Sequence, residues 1–185
     1  MRIERISMAA ELPVLLSEVR GFLKISHRDE DAMIAAHVRA AAEACERFTG
    51  RKLISQQWQL TLNDWGADVV ELPLSPILSV DKIEYWTAGA FLEITAVNYL
   101  LDRTSYQARI LPAPTYNWPG PEREVEGIKI TVSAGFGTGH NDVPHDIRLG
   151  LLHWVAGAYD AGEIADNQAV IMAEKLWQPY RRVAL

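Results

Sequence analysis

The stretch from Ile128 to Tyr159 constrains this chain most, because one run carries a strand pattern, a glycine-rich turn and a helix start. In Ile128-Lys129-Ile130-Thr131-Val132-Ser133 apolar and polar residues alternate, the period of a strand that buries one face and wets the other. Glycines at 135, 137 and 139 follow, where backbone angles closed to other residues cost little, so a sharp change of direction is expected. Asp142-Val143-Pro144 reads as the cap and first residue of a helix, since proline at that position gives up only an N–H that has no partner. Ile147, Leu151, Trp154, Val155 and Ala158 then recur at spacings of three and four, an apolar face of about three turns.

Strand, glycine turn and helix also outline a phosphate-binding loop. A Walker-type loop needs Gly-x-x-x-x-Gly-Lys-Ser/Thr and a dinucleotide fingerprint needs Gly-x-Gly-x-x-Gly. Gly135-Phe136-Gly137-Thr138-Gly139-His140-Asn141 fits neither, and no lysine follows it.

With 185 residues, 49% of them hydrophobic, the chain suffices for one ordinary core, or one core with a small subdomain. A formal charge of -6 argues against a nucleic-acid-binding face, which needs clustered Lys and Arg. The basic pairs Arg51-Lys52 and Arg181-Arg182 are too short for a binding stripe. One cysteine, Cys45, excludes an internal disulfide and a Cys-based zinc cluster. No apolar run approaches the roughly 20 residues needed to cross a bilayer, and Glu4, Glu11 and Pro13 interrupt any secretion signal. These features lead us to expect a soluble protein made in the cytoplasm, with no membrane partner.

Met1 to Pro13 reads as an irregular lead-in, followed by a short amphipathic turn or two with Leu16, Val19, Phe22 and Leu23 on one side. Ser26 is expected to cap a stronger helix with Asp29, Glu30 and Asp31 in its first turn and the stripe Ile34, Val38, Ala41, Cys45 and Phe48, ended by Gly50. Its many alanines permit close approach by neighbours on more than one side.

At Gln56 the period changes to two. Trp58, Leu60 and Leu62 mark a strand, Val69 to Leu72 is expected to pair back, and a longer strand over Val80 to Trp86 returns through Thr87-Ala88-Gly89. Short strands follow at Asn98 to Leu101 and Gln107 to Leu111, then a proline-punctuated loop from Pro112 to Glu126. Without crossover helices this predicts an antiparallel meander. A last helix from about Asp166 carries Ala169, Met172, Ala173 and Leu176 on one face with Trp177 beside it, and Pro179 ends it. The tail that follows, aromatic, basic and apolar-ended, either packs on its own domain or docks on a partner.

His140, His145 and His153 suggest a metal site, but no helical His-x-x-x-His pair exists and acidic neighbours favour a surface cluster. No Gly-x-Ser-x-Gly elbow surrounds Ser133. Asp29-Glu30-Asp31 is better explained as helix-start charge than as a cation site. Six tryptophans exceed what a core of this size requires, and indole-rich surfaces are often where proteins meet.

In the order of its pieces the chain resembles the head-to-tail adaptor (head–tail connector) proteins of long-tailed bacteriophages and of phage-derived gene transfer agents. The resemblance spans nearly the whole chain. It rests on Ser17 to Ile25, the acidic start Asp29-Glu30-Asp31 and the helix through Phe48-Thr49-Gly50-Arg51, and Leu72-Pro73-Leu74-Ser75-Pro76-Ile77. Further on it rests on Trp118-Pro119, Ala134-Gly135-Phe136-Gly137, Val143-Pro144 and Leu176-Trp177-Gln178-Pro179-Tyr180-Arg181.

The resemblance implies a structural virion protein with no catalysis and no cofactor or metal. Such adaptors form a ring, usually of twelve copies, beneath the portal protein. Their C-terminal segment docks on the portal, the other side receives a tail-side neck protein (the stopper), and DNA passes through without specific binding. Carboxylates lining such a channel would repel the DNA backbone.

The expected fold is α+β: an antiparallel helical core of about four helices at 14–54 and 142–178, an inserted small antiparallel β subdomain at 55–136, and a docking tail at 179–185, in one adaptor domain. The expected portal contacts are Trp177, Pro179, Tyr180, Arg181 and Arg182, aromatics for buried area and arginines for carboxylates. The rivals are another neck protein, stopper or tail-completion, and a small metal-dependent hydrolase using His140, His145 or His153.

Overall fold

Among the described residues (1–66, 68–104, 107–160 and 167–181 of the computed structural model), the chain forms eight strands and four helices. They fall into a sheet unit, Met1–Met8 with Ser55–Gly135, and a helical unit, Ala9–Ile54 with Phe136–Leu185. This is the α+β architecture expected from the sequence, with the β part built as two antiparallel sheets.

The sheet unit contains β1 (Arg2–Arg5), β2 (Gln56–Leu62), β3 (Val70–Glu71), β4 (Ile77–Thr87), β5 (Ala90–Glu93), β6 (Tyr99–Asp102), β7 (Arg109–Pro112) and β8 (Ile128–Ala134). One sheet runs β1-β2-β8-β4-β5 and the other β3-β7-β6. The alternation read in β8 is realised: Ile128, Ile130, Val132 and Ala134 are fully buried, while Lys129, Thr131 and Ser133 reach the other face. Ile130 lies between Leu60 of β2 and Ile83 of β4, both buried. Each such side chain contributes roughly 1.5–3 kcal/mol by leaving water.

Three expectations are corrected here. The strands do not follow one another as a meander, because β8, last in sequence, pairs on both edges and separates β2 from β4. Its four-fold burial suits a central position, which a consecutive meander would give to a more polar strand. The segment near Val70 pairs with β7, not with β2, so that Val70 meets Ile110 in the second sheet. The lead-in is partly strand: β1 pairs with β2 as an edge with all four residues exposed.

Aromatic side chains pin the loops of this unit. Trp65 and Trp118 stack with centroids 4.4 Å apart, and their indole N–H groups donate to the carbonyls of Pro119 at 2.8 Å and Asp68 at 2.9 Å. The β4–β5 turn places Ala88 at φ 48° and Gly89 at φ 80°, the doubly left-handed pair of a type I′ hairpin. The Glu122 carboxylate holds that turn, accepting from Thr87 Oγ1 at 3.0 Å and the Ala88 N–H at 2.7 Å. In β6, hydrogen bonds from the Thr104 hydroxyl and backbone N–H, and then from Arg109, lower the Asp102 pKa to about 2. A depressed carboxyl favours the folded state above its unfolded value of 3.8, and that contribution is lost as pH falls through about 2.

The helical unit contains α1 (Leu16–Leu23), α2 (Asp31–Thr49), α3 (His145–Asp160) and α4 (Asn167–Trp177). Ile34, Val38, Ala41 and Cys45 of α2 are fully buried with Ile147, Leu151 and Val155 of α3. Gly50 ends α2 in the left-handed region, at φ 72°, its N–H bonded to the Glu46 carbonyl at 2.9 Å. Ser26 does not cap α2. The helix starts at Asp31 with Glu30 at the cap position and no side-chain cap bond. The acidic run serves tertiary contacts as well: Asp31 pairs with Arg20, and Glu30 accepts from the Tyr159 hydroxyl. Ala32, Ala36 and Ala40 lie exposed on another side of α2.

Burial raises the Cys45 thiol pKa strongly, and the neighbouring Glu46 charge adds to the shift. Since the thiolate is the reactive form, a disulfide reagent at pH 8 is expected to leave the native thiol unmodified and to titrate it only in denaturant. Rapid modification in plain buffer would show that the helical unit opens.

Candidate partner-binding surface

The glycine turn before α3 is shaped by one carboxylate. Asp142 accepts from the Gly139 N–H at 2.9 Å, and a Cβ at Gly137 would lie 2.2 Å from the same carboxylate. Gly137 is therefore required for space rather than for a backbone angle. Asp142 ends a 3₁₀ turn, His140–Asp142, instead of capping α3. The helix begins one residue after Pro144, whose carbonyl accepts from the Arg148 N–H at 3.1 Å.

The C-terminal end of α4 is placed by a second glycine. The Trp177 indole lies against Gly150 of α3, where a Cβ would stand 2.3 Å from Nε1, and that Nε1 donates to the Ile147 carbonyl at 3.1 Å. Removal of one side chain from α3 thus admits the largest fully buried side chain among the described residues. Trp177, expected at a partner surface, is 1% exposed and belongs to the core of its own unit, with Phe48 6.2 Å away between centroids. Its place as one of the buried residues of α4, with Ala173 one turn back, explains the difference. Met172, expected on the apolar face, is 46% exposed.

Beyond Trp177 a 3₁₀ turn, Gln178–Tyr180, carries the chain onto the end of α2. The half-buried Tyr180 ring meets Phe136 edge-on at 6.5 Å, and its carbonyl accepts from Arg51 Nε at 3.1 Å. The exposed Arg181 guanidinium lies 5.3 Å over the Phe48 ring, and Pro179 is exposed. Arg182 lies outside the described residues. Of the two readings of the tail, packing on its own unit holds through Tyr180, and Pro179 and Arg181 offer an apolar and a cationic surface.

The histidines do not converge on a common centre. His140 is in the 3₁₀ turn, His145 starts α3, and His153 packs edge-on to Phe22 at 5.2 Å. Among the described residues no three His, Cys, Asp or Glu side chains are grouped to hold a metal ion, and no helix is long and apolar enough to cross a membrane.

No family model and no curated protein matches the sequence. Solved structures do match it. A chain of the neck of an empty gene transfer agent (GTA) particle, computed with C6 symmetry, superposes with a TM-score of 0.85 at 23% identity, covering 100% of this chain and 97% of that one. A chain of the neck of a native GTA particle, computed with C12 symmetry, gives 0.78 at 25% identity with the same coverage. The chain is similar from end to end to chains of GTA necks. A chain from the virion of a native GTA particle agrees, at 0.79 and 25% over the same shares. The likeness to neck chains runs through both units, and it bears out the family resemblance drawn from residue order.

Proposed function

We propose that this chain is a head-to-tail adaptor: a non-catalytic structural protein of a phage-like particle that joins the DNA-filled head to the tail. The observation that carries the reading is the end-to-end likeness to proteins of GTA necks, at 25% identity and with both units included. In this reading copies of the chain form a ring, twelve in number to match the symmetry of the native neck. The C-terminal segment docks on the portal, and the opposite side receives the stopper. DNA passes through the middle without specific binding, in keeping with the net charge of -6. The helical core at 14–54 and 142–178 builds the ring, the β subdomain at 55–136 elaborates it, and synthesis takes place in the bacterial cytoplasm.

Pro179, Tyr180, Arg181 and Arg182 make the portal contact, and Trp177 anchors them from inside α4. The arginines suit carboxylates on the portal, since planar guanidinium groups bind them with two parallel hydrogen bonds. The test is deletion of the coding sequence in the organism that makes the particles. Filled heads without tails should accumulate, and supplying the protein in trans should restore them; fully tailed, infectious or transfer-competent particles lacking the polypeptide would end the reading.

A further inference from the structure

The helical unit holds an open groove of about 360 Å³ between the start of α1 and one side of α3. Val14, Leu149 and Leu152 supply its apolar lining, and Glu18, Asp146 and Arg148 its charges. Arg148 donates to the Glu18 carboxylate, which also accepts from the Leu15 N–H at 3.0 Å. That pair is half-buried in the floor of the groove, whereas Asp146 is exposed beside it. Leu149 is 40% exposed at the rim. The groove therefore leaves leucine and the Asp146 carboxylate uncovered side by side, a surface suited to an apolar and cationic occupant.

A complementary surface stands on α4. Ile171, Glu174 and Lys175 recur at spacings of three and four, away from the buried Ala173 and Trp177. Ile171 is 50% exposed, and Lys175 is exposed beside it. α3 meets α4 through Gly150, whereas the groove is on the side of α3 that carries Leu149 and Leu152. Stripe and groove thus face different ways on one copy.

We propose that α4 of one copy lies in the α1–α3 groove of the next. Ile171 covers Leu149 and Leu152, and Lys175 faces Asp146. Two unlike patches form a heterologous contact, which closes into a ring when its rotation closes. The choice of a second copy as occupant rests on the adaptor reading, and charge and apolar complementarity select these two faces.

Cysteines at Leu149→Cys and Ile171→Cys, introduced together and oxidised in assembled particles, should produce a ladder of covalent multimers; either alone should not, and the native Cys45 is buried. Asp146→Lys or Lys175→Asp alone should cut the yield of tailed particles by about fivefold, the factor of one charge-pair coupling, and the two together should restore it. Particles that contain the double-cysteine chain but show no ladder overturn this contact and leave the adaptor reading standing. Particles without the chain overturn both.

Discussion

Replacing Trp177 by alanine is expected to lower the stability of the helical unit by about 3–5 kcal/mol, the range for truncating a large buried aromatic. The indole is 1% exposed and touches Phe48 on one side and the space above Gly150 on the other. Its loss leaves a cavity that two helices cannot close without moving, and it removes the hydrogen bond to the Ile147 carbonyl. Because the chain has two units, a single global transition is not assured. Denaturant dependence of Cys45 labelling therefore reports on the correct part. Gly150→Ala supplies the decisive control. With Trp177 present its new Cβ would stand 2.3 Å from Nε1, an overpacking that costs about 1–3 kcal/mol. With Trp177→Ala the clash is gone, and alanine is the better helix former by roughly 1 kcal/mol. The double-mutant cycle should thus show strong coupling with a change of sign at Gly150. Additive effects would mean that glycine and indole do not share that space.

Reversing Arg181 and Arg182 to glutamate should abolish head–tail joining and leave the fold intact. The Arg181 contact with Phe48 is an exposed cation–π pair, worth about 0.5–1 kcal/mol, so the thermal transition should move little. Against carboxylates of the portal, reversal costs on the order of 2–5 kcal/mol per desolvated pair, which repeated around a ring leaves no measurable joining. The measurements are the titre of tailed particles and a pull-down with isolated portal. Deleting residues 178–185 would remove the same surface, but it would also take Tyr180 from Phe136 and its carbonyl from Arg51. Charge reversal therefore separates docking from folding better. Undiminished joining by a stably folded variant would assign the docking surface elsewhere, and binding of isolated tail components in place of portal would favour the stopper reading.

Much of the architecture was legible wherever a pattern recurs along one element. Ile34, Val38, Ala41 and Cys45 declare the buried side of α2, Gly50 its end, and the alternation in β8 its buried face. A four-residue edge such as β1 carries no such signal, because with every side chain exposed there is no buried set to alternate. The end of α4 was legible as an element, but the packing of its residues was not. An indole beside an apolar stripe and a proline suggested an adhesive end, yet nothing local distinguishes a tryptophan that waits for a partner from one received by a glycine twenty-seven positions earlier, at Gly150.

The sequence by itself determined the kinds of element, their order and the change of period between helical and sheet segments, since these depend on neighbours within a few residues. Tertiary structure decided that β8 separates β2 from β4, that Gly137 gives room to Asp142, and that Gly150 admits Trp177. Those choices depend on which distant surfaces fill each other's space, a property of close packing that no single stretch of the chain contains.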